Sequence, residues 1–121
     1  MPSFSSFEGA EVYVTVLEKI NGLDFSKHFL VSEADPFRGR LVYTSLKKTC
    51  NLVFFLRRDD DGLWDFEGHV LSVIDENRDG MSSTRAVALA SDIWHANALV
   101  QALTPLTAPD GDFGAGNYYE P

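Results

Sequence analysis

The sequence predicts an α+β domain. A curved antiparallel sheet of about six strands, a meander or partly closed barrel, packs against one long C-terminal helix, and an irregular tail follows. Two observations carry this. From Val12 to Ile74 the apolar residues alternate or run together with a strand-like period. From Ser82 to Thr104 they recur with a helical one, placing Leu89, Ile93, Ala96, Val100 and Leu103 on one face.

Taken in order, Val12–Leu17 reads as the first strand, with Val12, Val14 and Val16 on one side, and Asn21-Gly22 reads as a turn. Lys27–Ser32 is the second strand, and Asp35-Pro36 opens a connection ending near Gly39. Arg40–Leu46 and Asn51–Arg57 form a hairpin around Lys47–Cys50. Leu52–Leu56 is apolar on both sides, the pattern of a central strand covered on both faces. Asp59-Asp60-Asp61-Gly62 is a hairpin turn with glycine where positive φ is needed. Leu63–Phe66 and His69–Ile74 follow, with Gly68 between them as a bulge or bend. Asp75–Gly80 is a polar loop, and Ser82, Ser83 or Thr84 caps the helix. Six alanines let that helix approach the sheet closely, and Pro105 stops it. Residues 1–104 are therefore one domain and 105–121 a tail rich in Gly and Pro.

A net charge of −8 argues against direct nucleic-acid or anionic-membrane binding and favours a basic protein surface as partner. No Lys or Arg follows Arg85. The single cysteine, Cys50, excludes an internal disulfide framework, and the N-terminus has no signal-peptide pattern. Both point to a cytoplasmic protein.

Asp75-Glu76-Asn77-Arg78-Asp79-Gly80 fits the first half of a calcium loop, with Asp75, Asn77 and Asp79 as candidate metal ligands. The twelfth position is Ala86 rather than glutamate, which favours a plain capped loop. Asp65, Glu67 and His69 alternate, so on a continuous strand they share one face and could form a catalytic or metal site between sheet and helix. Half-exposed strands show the same alternation without function, and Gly68 makes the parity uncertain. Arg38, Arg40, Arg57 and Arg58 cluster near acidic residues, favouring a salt-bridged rim over an anion site. Lys47 and Lys48 would favour a thiolate at Cys50, but nothing local supplies a base.

Two function classes follow. The first is a non-catalytic inhibitor, immunity or adaptor protein docking a basic macromolecular surface through Asp59, Asp60, Asp61, Trp94, Tyr118 and Tyr119. The second is a small-molecule or enzymatic site at Asp65, Glu67 and His69. A homodimer formed through the second apolar sheet face is compatible with either. The absence of catalytic and cofactor motifs favours the first.

Overall fold

A computed structural model describes residues 2–74 and 80–103. An N-terminal helix, α1 (Phe7–Ile20), leads through a short 3-10 turn (Phe25–Lys27) into four strands. These are β1 (Phe29–Asp35), β2 (Arg40–Ser45), β3 (Cys50–Arg58) and β4 (Trp64–Val73), and helix α2 (Ser83–Leu103) follows. The strands form one open antiparallel sheet in the order β1-β2-β3-β4, so β1 and β4 are its edges. Among the described residues this is the expected α+β class with a C-terminal helix, but with four strands rather than six, a second helix and an open sheet in place of a barrel.

The first correction is α1, where a strand was expected over Val12–Leu17. The valines do alternate, but the residues that become buried are Phe7, Ala10, Val14 and Leu17, at helical spacing, while Val12 and Val16 face solvent. Ser6 caps the helix by accepting the Gly9 N–H at 3.1 Å. Its end is a Schellman arrangement: Gly22, at φ 63°, donates to Lys19 O at 3.2 Å, and Leu23 donates to Glu18 O at 2.9 Å. Asn21-Gly22 is the expected turn, and it is the one that stops the helix. Tertiary burial overrides the β-propensity of the valine run.

The second correction joins Leu63–Phe66 and His69–Ile74 into β4. Gly68 stays within the strand, and the register against β3 shifts between Phe55 and Leu56, leaving Glu67 as the extra residue. The two expected hairpins form. Lys48 takes φ 59° between β2 and β3, and in the β3–β4 turn Asp59 Oδ1 accepts the N–H groups of Asp61 and Leu63, both at 2.9 Å.

The third correction concerns α2. Its buried residues are Asp92, Ala96, Leu99 and Leu103. Leu89 and Val100 pack at the margin of the core, while Ile93 is half-buried and outside that cluster. The wheel drawn from apolar residues alone excludes Asp92. Thr49 Oγ1 donates to Asp92 Oδ2 at 2.6 Å, which lets the carboxylate occupy the first position of the buried stripe. Ser45 completes this pin between α2 and the β2–β3 turn, accepting the N–H groups of Thr49 at 2.8 Å and Cys50 at 3.3 Å.

Both helices cover the same sheet face. α1 crosses it from β4, where Phe7 meets Trp64 edge-on at 5.2 Å, to the 3-10 turn that precedes β1, where Glu18 meets Ser26. Leu41, Tyr43, Leu52, Phe54 and Leu56 fill the space between. The opposite face was expected to be covered, yet no described residue covers it. Val42, Val53, Phe55 and Val70 form its apolar centre, with Phe55 38% exposed.

Candidate functional site

The expected Asp65, Glu67 and His69 row is not assembled. Opposite Asp65 on β3 is Arg57, on the open face, whereas His69 lies opposite Phe54, on the helix-covered face. The bulge at Glu67 inverts the alternation between them. Among the described residues no group of three or more His, Cys, Asp or Glu side chains is placed to hold a metal. His69 is itself exposed on this edge strand, and partial desolvation lowers its pKa from the ordinary value. Cys50 is buried, and desolvation pushes its thiol up, against the thiolate that Lys47 and Lys48 would favour. Asp75, Asn77 and Asp79, and with them the calcium reading, lie outside the described residues, as do Tyr118 and Tyr119.

The residues expected at a partner interface are spread over the fold. Asp59 spends its carboxylate on the β3–β4 turn, while Asp60 and Asp61 are exposed. Trp94 is 68% exposed, two residues from Asp92, which is held at the opposite end of β3. Nine residues of strand separate these ends, roughly 25 Å. Of the arginines, Arg38 pairs with Asp35 and Arg40 with Glu33, each at 3.0 Å, while Arg58 Nε lies 3.4 Å from Gly62 O.

A site that the sequence did not reveal lies where α1, the 3-10 turn and β1 meet. A half-open cavity of about 150 Å³ is lined by Glu11, Thr15 and Glu18 from α1, by Phe25 and Ser26, by Leu30 on β1, and by Tyr43 on β2. The helix places Glu11, Thr15 and Glu18 on one face through their i, i+4, i+7 spacing. Glu18 is only 7% exposed, and its Oε2 accepts both the Ser26 N–H at 2.8 Å and the Ser26 hydroxyl at 2.7 Å. Phe25 and Phe29 stack at 4.6 Å to form an aromatic wall.

Tyr43 is 5% exposed, its ring held edge-on by Phe25 at 5.2 Å and Phe54 at 6.0 Å. Its hydroxyl is buried without a hydrogen-bond partner. Burial first, and the charges of Glu11 and Glu18 second, push the phenol well above its ordinary pKa. The hydroxyl therefore stays neutral beside two carboxylates. Such a pocket is chemically suited to a cation: it supplies acceptor oxygens and an aromatic wall.

A broader groove of about 780 Å³ runs along the start of α2, past Lys47, Thr49, Ser82 and Arg85. Arg85 is committed there to the carbonyls of Lys48 and Ile74. Elsewhere His28 and His95 stack at 3.8 Å, and His95 Nδ1 lies 2.9 Å from Ser91 O. No protein-family model, curated protein or solved structure matches the chain. Among the described residues, no helix is long and apolar enough to cross a membrane.

Proposed function

We propose that this chain is a small acidic, non-catalytic binding protein of the inhibitor, immunity or adaptor kind, working in a reducing intracellular compartment and docking a basic macromolecular surface. The observation that carries this reading is the carboxylate-lined cavity between α1 and β1, with the buried, unpartnered hydroxyl of Tyr43 in its wall. A net charge of −8 supplies the long-range attraction. Exposed Asp60 and Asp61 extend it to a second surface, and neither enters any ion pair among the described residues. Trp94 supplies an exposed aromatic surface of the kind that anchors interfaces.

The test is affinity capture from the native host, followed by association kinetics of the captured partner at rising salt. A basic partner should associate many-fold faster at low than at physiological ionic strength, as the Debye length falls to about 8 Å. Replacing Asp60 and Asp61 with asparagine should mainly slow association. A partner whose on-rate ignores both salt and these changes would overturn the reading.

A further inference from the structure

We propose that the cavity between α1 and β1 seats a primary alkylammonium group, the end of a lysine side chain presented by the basic partner. This rests on the docking function proposed above and names the group that is docked.

Three features make the assignment. The first is volume: about 150 Å³ suits a butyl chain and its ammonium, and is small for a folded loop or a larger ring. The second is the acceptor set. An ammonium has three N–H donors and no acceptor. Glu11, Glu18 and Tyr43 line the same space, and the contacts of Glu18 with Ser26 are both made through Oε2, leaving Oε1 to accept. The third is the Tyr43 hydroxyl itself. A buried hydroxyl without a partner is costly, and a group that completes its hydrogen bonding gains that energy on binding. Val14, Phe25 and Leu30 provide an apolar sleeve for the methylenes, as long cationic side chains require. A guanidinium is planar and prefers the paired oxygens of a single carboxylate, whereas here the acceptors come from three side chains on α1 and β2.

The experiment is an NMR titration of the full chain with Nα-acetyl-lysine methylamide. The norleucine and arginine analogues and n-butylammonium chloride serve as comparisons. The lysine compound should shift the resonances of Glu18, Ser26 and Tyr43 saturably, and bind at least about tenfold more tightly than norleucine, the scale of a charge-assisted contact. Tyr43→Phe and Glu11→Gln should each weaken it several-fold. Neither removes a contact to Ser26, so both should remain folded if Glu18→Gln does not, as melting curves would show.

Equal binding of norleucine, tighter binding of arginine, or no binding at all would each overturn the proposal. Binding of butylammonium without the lysine compound would assign the cavity to free amines and overturn the lysine source. If a captured basic partner dissociates at the same rate from wild type, Glu11→Gln and Tyr43→Phe, the cavity is not its lysine site, although the docking reading stands.

Discussion

Replacing Thr49 with valine removes one hydroxyl of a hydrogen-bonded chain while keeping nearly the same volume. The hydroxyl donates to Asp92 at 2.6 Å, on a helix residue that is 3% exposed. Its loss strands a buried carboxylate oxygen. A hydrogen bond to a charged group contributes about 1.5–3 kcal/mol, and the stranded group adds its own desolvation, so the expected cost is about 2–4 kcal/mol. With a urea m-value of about 1.5 kcal/mol/M for a domain of this size, the midpoint should fall by about 1.3–2.7 M. Asp92→Asn keeps an acceptor for the same hydroxyl but removes the charge, so Thr49→Val in that background should cost only about 1 kcal/mol. The double-mutant cycle should therefore yield a coupling of about 1–3 kcal/mol. A coupling below about 0.5 kcal/mol would mean that Asp92 finds its solvation elsewhere, and that its place in the buried stripe does not depend on Thr49.

Three further outcomes are expected. Leu99→Ala, at the buried centre of α2, should cost about 2–5 kcal/mol, and Ile93→Ala less than half as much; equal costs in urea melts would contradict the observed helix face. Gly39 has φ +69°, and a Cβ there would collide with the Leu56 carbonyl, whereas Gly22 at φ +63° faces open space; Gly39→Ala should lower the melting temperature at least twice as far as Gly22→Ala. Partial desolvation of the exposed His69 ring places its folded pKa below the unfolded value, so the unfolded chain binds more protons in between. Stability from this group is then complete above about pH 6.5 and declines as pH falls toward the folded value. His69→Gln should flatten that decline in denaturation measured at several pH values, and an unchanged profile would remove His69 as its source.

Where local pattern and tertiary packing agree, the sequence is readable. The β2–β3 and β3–β4 hairpins, the glycine of the Asp59–Gly62 turn and the extent of α2 all carry local signals that burial reinforces. The misreadings fall where the two conflict. In α1 the strand-like valines outweighed a helical set that is less conspicuous, because one of its members is Ala10 and two of the valines lie outside it. In α2 a carboxylate interrupts the apolar stripe, and its partner is 43 residues away in the chain. In β4 a single extra residue at the bulge reverses which side chains share a face, so Asp65 and His69 part company. The α1–β1 cavity was beyond reach for a related reason. Glu11, Thr15 and Glu18 share a face only if that segment is a helix, and Tyr43 joins them only through the sheet.

The strand order of the sheet is also the order of the chain. Each strand can therefore pair with the one made just before it, across a connection of only a few residues, and the sheet assembles through short loop closures. The long-range closures are left to the helices, which come from opposite ends of the described chain and pack on each other over the same face. The meander thus forms a template from local contacts, which favours rapid folding, and the apolar face it presents is sealed only when α1 and α2 dock together.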